Sequence, residues 1–163
     1  MKAIRTGPNE VVFQLRKREK ELLLEVMRPY PLVPVSHHLL RKSAAKESAD
    51  ENQRLLDQAL AEQRQTNRRQ VQALLSEPGR FREAKPGVEL TLSLAEVEWL
   101  LQVLNDVRVG SWLALGEPEQ GKEPEMNEDN AHYLMGFHVS GLFQTVLLAA
   151  LGVIESSQWS ASD

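Results

Sequence analysis

The chain has 163 residues, 42% of them hydrophobic and 26% charged, the balance of one ordinary soluble domain whose core needs no disulfide or metal staple. It contains no cysteine, which excludes thiol nucleophiles, thiolate zinc sites and disulfide frameworks and fits a reducing cytoplasm. The formal net charge of −4 conceals a polarity: residues 1–87 carry 17 basic and 11 acidic side chains and residues 88–163 carry 2 and 12, so the two parts stand at +6 and −10.

In chain order, residues 2–6 and 11–15 are strand-like and flank Gly7-Pro8-Asn9-Glu10, which is turn chemistry, so a hairpin is expected. The first residues hold no apolar stretch of signal-peptide length, and export by that route is not expected. Residues 17–27 combine strong helix formers with apolar Leu22, Leu23, Val26 and Met27 and end at Arg28-Pro29-Tyr30-Pro31. Pro29, Pro31 and Pro34 then predict an extended loop over 29–35. His37 and His38 are adjacent, so they diverge rather than chelate together, and they read as loop or helix-start residues.

The capping-box spacing of Ser48 and Glu51 opens a long helix that runs to Ser76 and is stopped by Pro78-Gly79. Its apolar positions, Leu55, Leu56, Ala59 and Leu60 and then Val71, Leu74 and Leu75, bracket a polar middle from Gln63 to Gln70. Such a helix should bury its ends better than its centre, leaving the middle solvated, projecting or bridging to a partner. Val88, Leu90 and Leu92 alternate as a strand, and Ser93-Leu94-Ala95-Glu96 repeats the capping box at the start of a helix carrying Val97, Leu100, Leu101, Leu104 and Val107. Residues 117–130 are acidic and contain Pro and Gly, which predicts a mobile surface loop.

A final helix is expected over 129–151, stopped by Gly152, with a frayed tail over 155–163. Residues 131–154 contain no Asp, Glu, Lys or Arg and are long enough to cross a bilayer. His138, Ser140, Gln144 and Thr145 interrupt the apolar content, the upstream flank is acidic and no Lys or Arg follows, so the segment reads as the central buried helix of a soluble protein and no membrane is expected. On a helix, His138, Gly141, Thr145, Ala149 and Gly152 form a narrow stripe where another helix can approach, from the same chain or from a second copy in a homodimer.

Residues 11–27 also align without gaps on residues 88–104, strand on strand and helix on helix, with Glu19 over Glu96 and Leu23-Leu24 over Leu100-Leu101. Two strand-then-helix units sharing one small sheet would produce this pattern, and packing alone is enough to generate it.

Chemistry is sparse. Glu128 and His132 lie one turn apart beside Asp129 at the start of the last helix, a pair that could share a metal, although no HExxH or EF-hand spacing accompanies it and His138 falls on a different face. The bland alternative is favourable acids at a helix N-terminus beside an incidental histidine. Gly-rich phosphate loops, a GxSxG elbow and kinase signatures are missing from the sequence. Asn105-Asp106-Val107-Arg108 puts three polar residues into an otherwise apolar helix, where they must bond to one another, to a neighbouring loop or to a ligand. Basic residues cluster at 16–20, at Arg41-Lys42, at Arg64, Arg68 and Arg69, and at Arg80, Arg82 and Lys85. Glutamates interrupt them and no aromatic residues interleave, so an attraction between the two halves, or an acidic protein partner, is expected before nucleic acid.

The strand, the capped apolar helix with Leu104-Asn105-Asp106-Val107-Arg108, the following Leu115-Gly116 and the apolar last helix resemble, over residues 88–152, a family of uncharacterised bacterial cytoplasmic proteins. Members can be encoded near components of the Clp protease system, and the resemblance implies a role around regulated proteolysis while transferring no catalytic residue. The expected fold is α+β and predominantly helical, one domain over 1–154 with a small antiparallel sheet of two or three strands from 2–6, 11–15 and 88–92. The expected function is a non-enzymatic cytoplasmic interaction module without a cofactor, whose partner is another protein or a second copy. Its candidate polar and interaction residues are Asn105, Asp106, Arg108, His132, His138, Arg64, Arg68 and Arg69. The alternative is a metal-dependent enzyme with its site near the start of the last helix.

Overall fold

The alternation of apolar residues sends Val11, Phe13 and Leu15 to one face of their strand and Val88, Leu90 and Leu92 to one face of theirs, and these two faces meet as the floor of the core. A computed structural model describes residues 1–7, 9–34, 46–77, 79–119 and 121–160. Its elements are β1 (Lys2–Thr6), β2 (Glu10–Leu15), α1 (Lys17–Met27), α2 (Lys46–Ser76), β3 (Phe81–Ala84), β4 (Gly87–Ser93), α3 (Leu94–Ala114) and α4 (Ala131–Ser160). The strands form one antiparallel sheet in the order β1-β2-β4-β3. Val11 stands opposite Leu92, Phe13 opposite Leu90 and Leu15 opposite Val88, all six buried, so cross-strand contacts and the hydrophobic floor are the same residues.

The sheet has four strands, where two or three were expected. The additional β3 lies at the edge and pairs with β4 from Phe81 opposite Leu90 to Ala84 opposite Gly87. Its sequence, FREA, has no apolar alternation, because an edge strand with one row of solvent-facing groups tolerates Arg82 and Glu83.

The two strand-then-helix units aligned in the sequence do share the sheet, with β2 and β4 as neighbours. Glu19 and Glu96 occupy equivalent places: Glu19 accepts a hydrogen bond from the Arg16 N–H at 2.7 Å, and Glu96 accepts one from the Ser93 N–H at 2.8 Å. Ser93 Oγ in turn accepts from the Glu96 N–H at 3.2 Å, which completes the capping box read from the sequence. Burial pushes the Glu96 carboxyl up, but the Ser93 N–H, the Arg80 guanidinium and the Ser93 hydroxyl outweigh it and hold it below the ordinary carboxylate value. A carboxyl lowered in the folded state stabilises above its unfolded pKa, and that contribution disappears as pH falls through the folded value. In denaturant titrations at a series of pH values, the gap between the native chain and Glu96→Gln should therefore be widest at neutral pH and shrink on acidification; a constant gap would show that the ion pair contributes nothing.

Over the sheet lie Leu23, Val26 and Met27 of α1, Leu100, Val103, Leu104 and Val107 of α3, and Phe143, Leu147 and Ala150 of α4. α3 and α4 approach closely because Gly136 has no side chain: a Cβ there would stand 2.5 Å from Ser111 Oγ. The last helix differs from expectation in two respects. It continues through Gly152 to Ser160, because Gly152 keeps a helical backbone instead of the left-handed one that ends helices. It is also not enclosed: 33% of its apolar window is buried, along an inward stripe of Leu134, Gly136, Ser140, Phe143, Leu147 and Ala150.

α2 also departs from the expected pattern. Among the side chains described from residue 51 on, Asn67, Val71 and Leu74 are buried, whereas Leu55 is 60% exposed, so part of the polar middle is engaged more deeply than the first apolar group. Val71 and Leu74 reach the core, whereas Leu55 is exposed and Leu56 only half-buried.

Candidate functional site

Polar residues in an apolar helix need partners, and α3 supplies them on two sides. Asp106 faces the proline-bearing loop that follows α1: its Oδ1 accepts hydrogen bonds from the backbone N–H of Leu32 at 2.6 Å and of Val33 at 3.2 Å. Arg64 of α2 closes the same loop from the other side, donating from Nη2 to the Val33 carbonyl at 2.8 Å and standing 3.9 Å from Asp106 Oδ2. One turn further along α3, Gly110 makes room for the loop, since a Cβ there would stand 2.7 Å from Leu32 Cβ and Cγ and 2.8 Å from its carbonyl carbon. Of the partners open to the Asn105-Asp106-Arg108 group, Asp106 has taken a neighbouring loop. Its role is to hold α1, α2 and α3 in one arrangement.

Beside this clamp is a cleft of about 590 Å³ whose walls include Tyr30, Val33, Gln63, Asn67, Gln102 and Asn105. Asn67 is buried; its Oδ1 accepts from Gln63 Nε2 at 2.9 Å and its Nδ2 donates to Gln102 Oε1 at 3.4 Å. Burial pushes the Tyr30 phenol above its ordinary value, against the lowering effect of its hydrogen bond with Asn67. Arg68 and Arg69 are exposed, so the basic triplet of α2 is divided: Arg64 is structural and the other two face solvent.

Across Asn105 and Val109, a second cleft of about 590 Å³ is lined by Arg108, Trp112, Pro118, Glu123, Phe137 and His138. The end of α3 builds one wall. Glu117 N–H donates to the Trp112 carbonyl and Gly116 N–H to the Leu113 carbonyl, both at 3.0 Å, with Gly116 in the left-handed region at φ 84°; this is a Schellman turn. The turn brings the Pro118 carbonyl to 3.0 Å from Trp112 Nε1, which donates to it and fixes the indole. The Arg108 guanidinium lies over the Phe137 ring at 5.4 Å, and Phe137 meets His138 edge-on at 5.1 Å.

Asn105, Arg108 and His138 therefore converge, although their positions in the sequence gave no reason to group the last with the first two. Nothing in the sequence set Trp112 and Phe137 apart as site residues. His132 stands apart, exposed and tilted at 43° against the Tyr133 ring at 3.8 Å, in the lining of a third cleft bounded by α1, α3 and α4. Glu128 and Asp129 are exposed in the turn capped by Asn127, whose Oδ1 accepts from the Asp129 and Asn130 N–H groups at 3.0 Å. Among the described residues, no three of His, Asp and Glu gather in a way that could hold a metal ion. His37 and His38 lie outside the described residues. No family model, curated protein or solved structure matches the chain.

Proposed function

We propose that the protein is a non-enzymatic cytoplasmic interaction module that receives a helical segment of another protein on the outer face of α4. One observation carries this reading. His138, Leu142, Thr145, Leu148 and Ala149 form a continuous outward stripe on a helix with no charged side chain from Ala131 to Gly152, and Leu142 and Leu148 are 68% and 57% exposed. A solvated helix face ordinarily carries charge, and a stripe of this kind is what a helix-on-helix contact uses.

The surroundings favour a partner with a basic end. Exposed Glu119, Glu125, Glu128 and Asp129 lie on the segment leading into α4, so the complementary partner is an amphipathic helix with an apolar face and Lys or Arg at one end. The resemblance to bacterial proteins encoded near Clp components fits such a role around regulated proteolysis.

The test is selection from a library of helical peptides on the native protein, with counter-selection on Leu142→Asp. Enrichment of sequences with apolar residues at i, i+3 and i+4 and a basic end, lost on the variant, is the expected result. A dimer in light scattering that Leu142→Asp dissolves would assign the face to a second copy instead. Flotation with neutral lipid vesicles that the variant abolishes would assign it to a bilayer. Either outcome, or enrichment indifferent to Leu142, overturns the proposal.

A further inference from the structure

The cleft beside α4's first turns, with His138 at the rim it shares with the outward stripe, holds a cation without a described counter-charge. Arg108 is one of only two basic residues beyond position 87, and among the described residues no carboxylate pairs with it. Its exposed side chain has two neighbours on α4. The side chain passes α4 beside Gly141, where a Cβ would stand 3.6 Å from Arg108 Nε, and the guanidinium carbon lies over the Phe137 ring at 5.4 Å from its centroid. No described acceptor occupies its N–H groups, and the fork of a guanidinium matches a carboxylate with two parallel hydrogen bonds.

We infer that this cleft binds a small aromatic carboxylate. Trp112 and Phe137 offer rings against which a flat apolar body can lie, and Asn105 and His138 add polar groups near the Arg108 edge. The volume of about 590 Å³ falls within the range of small-molecule sites. Glu123, also in the lining, selects against a second negative charge, so a singly charged carboxylate is preferred to a phosphate dianion.

The probe is phenylacetate, with phenylacetamide as its uncharged counterpart and phenyl phosphate as the dianion, titrated into the ¹⁵N-labelled full chain. The expected result is saturable shifts at the Trp112 indole N–H and the Arg108 Nε–H with a Kd of about 1 mM, the range open to a fragment of this size. The amide and the phosphate should each bind about tenfold more weakly. Arg108→Gln should remove the preference for phenylacetate over the amide, Arg108→Lys should weaken phenylacetate several-fold by losing the fork, and Arg69→Gln should change nothing. Should Arg108→Gln not fold, Arg108→Lys and the three-ligand ranking still decide the matter. Shifts that do not saturate, equal affinity for acid and amide, or phenylacetate binding indifferent to both Arg108 variants would overturn the assignment.

Discussion

Alanine at Gly110 should lower the unfolding free energy by about 3 kcal/mol, a large effect for the addition of one methyl group. Helix interiors ordinarily gain from Gly→Ala, so the sign is diagnostic. The reason is the loop over α3: the new Cβ would sit 2.7 Å from Leu32 Cβ and 2.8 Å from the Leu32 carbonyl carbon. A flexible side-chain tip could swing aside, but a backbone atom moves only with its segment. The loop would have to lift, and Tyr30 and Val33, both buried, would lift with it. Equilibrium denaturation decides the matter, and a variant as stable as the native chain would show that the loop does not depend on this seat.

Removing the Asp106 carboxylate by Asp106→Ala should cost about 3 kcal/mol, because the Leu32 and Val33 N–H groups lose their acceptor and Arg64 loses its counter-charge in a half-buried setting. Asp106→Asn keeps an oxygen for both donors and should cost about 1 kcal/mol. The amides of Leu32 and Val33 should exchange with solvent faster in Asp106→Ala than in Asp106→Asn. Because Asp106 and Gly110 act on the same loop, the double variant should lose at least about 1 kcal/mol less than the sum of the two single losses. Additive losses would mean that the two residues hold different things.

Much of the architecture was legible because local signals and tertiary demands agreed. Ser93 and Glu96 mark the start of α3 by chemistry that works the same way in any context, and the alternation of Val88, Leu90 and Leu92 is satisfied by a strand with one face on the core. β3 escaped because an edge strand need not alternate, and the end of α4 escaped because glycine permits a stop without enforcing one. The openness of α4 was hidden for a different reason. An apolar residue reports a preference for leaving water, not the identity of the surface that takes it in, so Leu142 and Leu147 look alike in the sequence although one is exposed and the other buried.

The site was half legible by the same logic. Three polar residues in α3 announced that partners existed, and a loop was one of the candidates, which Asp106 bears out. The grouping of Arg108 with His138, Trp112 and Phe137 needed the crossing of α3 and α4, and the crossing depends on Gly136, whose role no spacing discloses.

The seating of α2 has a mechanical consequence. From Lys46 to Asn67, which is buried, the helix extends about 30 Å. A rigid rod held at one end magnifies rotation: a tilt of about 10° about Asn67 carries the far end through about 5 Å. The Arg64 hydrogen bond to Val33 lies within one turn of that pivot, where its leverage over the angle is small and its distance is nearly constant. The clamp can therefore remain closed while the tip sweeps, and a spectroscopic ruler placed between residue 55 and the body would register motions to which one between residue 71 and the body is blind.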